Sequence, residues 1–227
     1  MLQATALLRG EGAFAVGHAS ASRPWARLVL VVVSAGLVYG LAMGSLEARW
    51  RGALYSSVKV PLLLSASILV CLPNFYVVNS LLRLREDFGA ALRGILAAQG
   101  TVALTLASLA PVTLVFYACR TSYPVALLWN AGVFGLAAVA GQMTLARHYQ
   151  PLIRRRPRHR HALALWFVLY LFVGVKVGWV LRPFVGDPAL PTTFLREGRW
   201  QENPYANLIW TVVGLGMTIA RKIAGDG

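Results

Sequence analysis

The chain alternates between long apolar stretches and short, arginine-rich polar segments. Five stretches hold on the order of 20 mostly apolar residues each, the length that an α-helix needs to cross a hydrocarbon core of about 30 Å. They are residues 28–46, 58–82, 90–119, 123–146 and 161–181. A sixth stretch, 205–220, is shorter and less apolar. The pattern predicts an all-α, polytopic transmembrane bundle of five strong spans, followed by a short sixth span or an interfacial helix.

The polar segments divide the chain around this bundle. Residues 1–27 contain no compact apolar region followed by a small-residue cleavage site, so they are interpreted as a cytoplasmic N-terminal segment before a retained anchor. The five-helix bundle occupies 28–181. Residues 182–204 carry four prolines, which favour extended backbone, and are predicted to cap the extracytoplasmic face. Residues 205–227 hold the sixth stretch and a basic C-terminal end.

Composition excludes the soluble classes. The chain is 57% hydrophobic and only 13% charged, whereas soluble domains average about 25% charged residues. Its 22 Lys and Arg against 8 Asp and Glu give a net charge of +14, but the chain has no soluble basic domain of the kind that binds nucleic acid. Cys71 and Cys119 both lie in apolar stretches, so neither a disulfide framework nor a thiolate metal site is expected.

Arginines in the short loops predict the orientation. Lys and Arg resist translocation, and they are concentrated before the first span, between the second and third, and before the fifth. The densest group is Arg154, Arg155, Arg156, Arg158 and Arg160. We interpret this group as topogenic charge that also contacts anionic lipid headgroups. The N-terminus is therefore expected in the cytoplasm.

The first span carries Gly36, Gly40 and Gly44, spaced four residues apart. This spacing places three hydrogen side chains on one stripe, where another helix can approach closely. The stripe predicts helix packing, either against a neighbouring span of the same chain or against a second protein.

Prolines inside the second and third spans indicate a candidate cavity. Pro73 and Pro111 each remove a backbone donor and are expected to kink their helices near Leu72 and Ala110. Asn74, Asn79 and Thr113 are close enough in sequence to bond the freed carbonyls. The polar candidates for this cavity are Asn74, Asn79, Gln99, Thr101, Thr105 and Ser108. The alternative is a purely structural role, in which hydroxyls bond across helices or back to the preceding turn.

Lys176 is an ionisable residue inside a predicted span. It lies about 7.5 Å below the outer end of the fifth span, within reach of the interface for a four-carbon stem. Either Lys176 snorkels outward or it pairs with an acid of the outer loop, which contains Asp187, Glu197 and Glu202. The candidate ion-pairing group is Lys176, Arg182 and Asp187. Lys59, near the outer entrance of the second span, is likewise expected to snorkel.

No catalytic, metal or cofactor-binding residue is identified. Five residues separate Lys176 from Arg182-Pro183, against six in the lipid-phosphatase signature, and no Pro-Ser-Gly-His follows. His148, His159 and His161 have no carboxylate or thiolate near them in sequence, and the surrounding arginines repel a divalent cation. No cofactor is evident.

Four stretches carry a resemblance: KVPLLL with CLPNFYVVN, SLAPVT, TSYP with LLWNAGVFG, and GWVLRPFVGDP. Together they are similar to a family of uncharacterised bacterial multi-pass membrane proteins over about residues 55–195. The resemblance implies a shared helical bundle and location in the bacterial cytoplasmic membrane. It implies no activity and assigns no functional residue.

Three functions remain open. The favoured one is a non-catalytic membrane subunit or scaffold with other membrane protein subunits as partners. The second is a small transporter or channel, for which the intramembrane amides Asn74, Asn79, Gln99, Asn130 and Gln142 would line a path. The third is a membrane enzyme acting on lipid, which rests only on the arginine-rich interface.

Overall fold

The computed structural model describes residues 24–46, 50–119, 122–182, 184–185, 194 and 205. Within these ranges the chain forms five α-helices and no β-strand, which confirms the all-α prediction. The helices are α1 (Pro24–Gly44), α2 (Trp50–Leu81), α3 (Phe88–Ala118), α4 (Tyr123–Arg155) and α5 (His159–Val180). A 3-10 turn, Arg85–Asp87, joins α2 to α3.

Four of these elements are long and apolar enough to cross a membrane: Trp50–Leu81, Arg85–Ala118, Tyr123–Arg155 and His159–Val180. The apolar part of α1, Leu28–Gly44, is shorter. The described helices therefore provide four full-length candidate spans and a shorter fifth, where the sequence predicted five strong ones. The sixth stretch lies outside the described residues except for Tyr205, whose hydroxyl donates to the Phe172 carbonyl on α5 over 2.8 Å.

Two helices run well beyond their predicted spans. Helix α2 begins at Trp50 and α4 continues to Arg155, whereas the apolar stretches begin at 58 and end at 146. Hydropathy marks only the apolar middle of a helix, and polar residues continue the same hydrogen-bond ladder beyond it. One consequence is that Pro61, which is near the start of the apolar stretch, lies inside α2.

The bundle is packed unevenly around α1. Helix α1 lies between α2 and α3, α4 packs along α3, and α5 packs along α2. Helices α4 and α5 contact each other much less. We call the end with Gly44 and Val180 the loop end, and the end with Arg85 and Arg155 the arginine end. One apolar core cluster, around Tyr39 and Leu106, lies toward the loop end, and a second, around Phe75 and Trp166, lies toward the arginine end.

The outside of the bundle is apolar. Large aliphatic side chains such as Leu30, Leu69, Val115 and Leu171 are about two-thirds exposed, while Asn79, Gln99, Thr101 and Asn130 are buried. An apolar surface of this extent around buried amides and hydroxyls is the arrangement that a lipid environment favours.

Candidate functional site

A charged cluster ties together the two turns at the arginine end. Nη2 of Arg156, between α4 and α5, lies 2.8 Å from Oε2 of Glu86 in the 3-10 turn. Nε2 of His159 lies 3.0 Å from Oδ2 of Asp87, and the His159 side chain is fully buried against Tyr149. The hydrogen bond and the charge of Glu86 raise the pKa of Arg156. No local sequence pattern predicts this cluster, because Asp87 and His159 lie far apart in the chain.

The predicted topogenic arginines lie beside this cluster. Their side chains, Arg154, Arg155, Arg156, Arg158 and Arg160, are all exposed. No group of three His, Cys, Asp or Glu residues close enough to hold a metal ion occurs among the described residues. The arrangement is therefore a basic surface that is joined to the 3-10 turn through Arg156 and His159.

The glycine stripe of α1 faces α2 of the same chain. A Cβ added at Gly36 would lie 3.2 Å from Cα of Pro61. Added at Gly40 or Gly44, it would lie 2.6 Å from the Cα of Ser57 or Ala53, respectively. The separations at Gly40 and Gly44 are too short for any side chain and the one at Gly36 is tight, so the two backbones are in direct contact.

A buried hydrogen-bond network joins α1, α3 and α4. The Tyr39 hydroxyl donates to Oδ1 of Asn130 over 2.8 Å, and Nδ2 of Asn130 donates to the Tyr117 hydroxyl over 2.6 Å. The Tyr117 hydroxyl in turn donates to the Met43 carbonyl over 3.3 Å. Asn130 thus connects three helices through one amide.

None of the six polar candidates near the prolines lines the cavity described below. Four of them donate to a carbonyl one turn earlier in their own helix: Asn74 to Val70, Asn79 to Phe75, Thr101 to Ala97 and Ser108 to Thr105. Gln99 instead links helices, since its amide donates to the Leu64 carbonyl and its oxygen accepts from the Tyr170 hydroxyl. Thr105 is half-buried on α3.

The two prolines expected to kink their helices lie within uninterrupted helices, Pro73 in α2 and Pro111 in α3. The prediction that Asn74, Asn79 and Thr113 bond the freed carbonyls is wrong, because each donates to a different carbonyl. Asn74 donates to Val70 rather than to Leu69, whose carbonyl Pro73 frees. Thr113 likewise donates to Leu109, not to Ala107.

A cavity of about 910 Å³ lies instead between α4 and α5. Its walls are mainly apolar and include Leu127, Phe134, Leu171 and Val175, with Leu64 of α2 behind them. Helices α4 and α5 contact each other much less than α3 and α4 or α2 and α5 do. Its volume falls in the range of small-molecule sites, about 300–1,000 Å³.

A few polar groups interrupt the apolar wall. Asn130, Gln142 and Tyr170 line the cavity, and Oε1 of Gln142 is buried without a hydrogen bond among the described residues. Arg182 lines the cavity at the loop end, and its guanidinium lies 4.6 Å from the centre of the Trp179 ring. The cavity therefore has a mainly apolar wall with a few polar groups in it, and a cationic group lies at the loop end.

The remaining ionisable candidates lie at the loop end. Lys176 is half-buried on α5, and Asp187 lies outside the described residues, so their pairing stays a prediction. Lys59 does not snorkel. It is fully buried, with Nζ 5.1 Å from the centre of the Phe194 ring. Residues of the predicted capping loop cover it, and the Ser56 hydroxyl donates to the Phe184 carbonyl beside it.

Comparisons of the chain with protein-family models, curated proteins and solved structures find no match.

Proposed function

We propose that this protein is a non-catalytic integral membrane subunit or scaffold of a membrane protein assembly in the bacterial cytoplasmic membrane. The observation that supports this best is the use of its buried polar groups. The Tyr39–Asn130–Tyr117 network and the Gln99–Tyr170 bond hold helices to one another. These groups stabilise a bundle and leave its apolar outer faces for contacts with lipid and with other membrane subunits.

The proposal includes an orientation. The exposed arginines of 154–160 would lie in the cytoplasm, where they attract anionic lipid headgroups at about 1 kcal/mol per cation near the surface. The N-terminus would lie on the same side, and residues 182–204 on the other.

Labelling of single cysteines in intact cells tests the orientation. Cys71 and Cys119 are first replaced by serine, and one cysteine is then introduced at Arg156 or at Glu197. An impermeant maleimide should label the cysteine at 197 and spare the one at 156. The reverse pattern would contradict the proposed topology.

Purification in a mild detergent, followed by native mass spectrometry, tests the assembly. We expect a second membrane protein at a fixed ratio to this chain. The Arg154→Gln, Arg155→Gln double variant serves as a control, since it changes the basic surface and leaves the apolar faces intact. A homomeric particle from native membranes would contradict the scaffold function.

One observation favours the alternative of a small transporter or channel. The cavity between α4 and α5 is lined by Asn130 and Gln142, two of the amides expected along a transport path. Two results together would favour this alternative over the scaffold. The purified protein would be a homomer, and after reconstitution into liposomes it would carry a solute flux that Gln142→Leu abolishes.

A further inference from the structure

The length of the cavity matches one leaflet of a bilayer. On α5 its lining runs from Phe167 to Gly178, which is about 17 Å at the helical rise. Half of a hydrocarbon core is about 15 Å. A lipid hydrocarbon chain, which spans one leaflet, can therefore lie along this cavity from end to end.

The space in the cavity results from missing side chains. A Cβ added at Gly135 or Gly174 would meet no atom within 4 Å, and one at Gly178 would meet only Leu63, at 3.8 Å. Ala131 and Ala138 line the same wall. Cavities with mainly apolar walls take up apolar molecules, and in a membrane the abundant apolar group is a lipid hydrocarbon chain.

The loop end of the cavity has the chemistry of a headgroup site. Arg182 follows α5 directly, and its guanidinium is held over the Trp179 ring. Tyr123 begins α4 on the other side of the same opening. Arginine binds phosphate oxygens in a fork geometry, and Trp and Tyr are typical of the membrane interface. The positive end therefore suits an anionic phosphate.

We propose that the cavity between α4 and α5 is a binding site for an anionic phospholipid, with a hydrocarbon chain between Gly135 and Gly174 and the phosphate at Arg182. The occupant is a specifically bound lipid. It is distinct from lipids that gather at the exposed arginines of the opposite end. The site does not depend on the scaffold function, since a lipid can occupy it whether or not a second subunit binds.

The test measures lipid binding to the purified full chain in neutral detergent by native mass spectrometry, with phosphatidylglycerol and phosphatidylcholine as probes. Gly135→Leu places a side chain in the cavity. Gly132→Leu is the matched control, because it lies on the same helix, also has open space around its added Cβ and does not line the cavity. Both variants keep every arginine of the arginine end.

We expect one phosphatidylglycerol to bind more tightly than phosphatidylcholine. Gly135→Leu should weaken this binding about ten-fold or more, because the added side chain overlaps the lipid chain, and Gly132→Leu should leave it unchanged. Arg182→Gln should remove the preference for phosphatidylglycerol while keeping the bound lipid.

Equal binding of phosphatidylglycerol by wild type, Gly135→Leu and Gly132→Leu would overturn the site. It would mean that the lipid binds at the surface of the arginine end, which is the same in all three proteins. Equal affinity of wild type for the two lipids would overturn the role of Arg182. If Gly135→Leu fails to fold, Ala138→Leu fills the same cavity from the next turn and must give the same ten-fold loss.

Discussion

Two pairs of helices in this bundle are lined by glycine and use it in opposite ways. Between α1 and α2, glycine brings two backbones into contact, so that a Cβ at Gly40 would lie 2.6 Å from Cα of Ser57. Between α4 and α5, a Cβ at Gly135 or Gly174 would meet nothing within 4 Å. One interface is closed by the absence of side chains, and the other is left open by it.

The comparison shows what glycine spacing determines. Gly174 and Gly178 are four residues apart, as are Gly40 and Gly44. The same spacing produces a flat strip on each helix. What covers the strip depends on the element opposite, and α5 packs more closely against α2 than against α4.

Breaking the closed interface should have the largest effect. Gly40→Leu forces α1 away from the backbone of Ser56 and Ser57, and overpacking of this kind costs about 3 kcal/mol or more when a backbone must move. We expect loss of the folded protein, or a large fall in Tm, in detergent thermal melts. Gly132→Leu, in open space on α4, is the control and should melt near wild type. Equal melting of the two variants would show that α1 and α2 are not in contact.

Removing the amide that connects the two regions should have the next largest effect. Asn130 lines the cavity and also bonds Tyr39 and Tyr117, so Asn130→Ala removes the acceptor of the buried Tyr39 hydroxyl and a donor to the half-buried Tyr117 hydroxyl. We expect a loss of about 1–2 kcal/mol in unfolding free energy. A double-mutant cycle with Tyr39→Phe isolates the shared bond, and strict additivity of the two losses would contradict the network.

A smaller effect is expected at the arginine end, where the turn between α2 and α3 is held to the turn between α4 and α5. Asp87→Ala removes the acceptor 3.0 Å from Nε2 of buried His159 and should lower the unfolding free energy by about 1 kcal/mol. Glu86→Gln alters only the exposed pair with Arg156 and should have less effect on Tm. If Glu86→Gln proved the more damaging change, the assignment of His159–Asp87 as the main tie would be wrong.

The sequence was sufficient to predict what depends on local composition. Mean hydropathy over about 20 residues predicts the apolar helices, and α5 begins and ends within two residues of its predicted span. It could not predict that α4 continues through Tyr149 and Leu152 to Arg155, because those residues add turns to a helix without adding to its apolar length.

Contacts between helices could not be read from the sequence for a different reason. The His159–Asp87 and Gln99–Tyr170 pairs join residues about 70 positions apart, and no local pattern marks either residue as a partner of the other. The cavity is harder still to predict, since the prolines drew attention to α2 and α3. The open space lies between α4 and α5, where it results from how little these helices contact each other.

The contrast between the two glycine-lined interfaces can be tested with a single methyl group. Gly40→Ala and Gly135→Ala, each compared with wild type by thermal unfolding in the same lipid-free detergent, make the same chemical change in the two places. The structure predicts opposite signs: Gly40→Ala lowers Tm because its Cβ collides with backbone, and Gly135→Ala raises Tm because alanine is the better helix former by about 1 kcal/mol and has space. A fall in Tm of similar size for both variants would contradict the open cavity between α4 and α5.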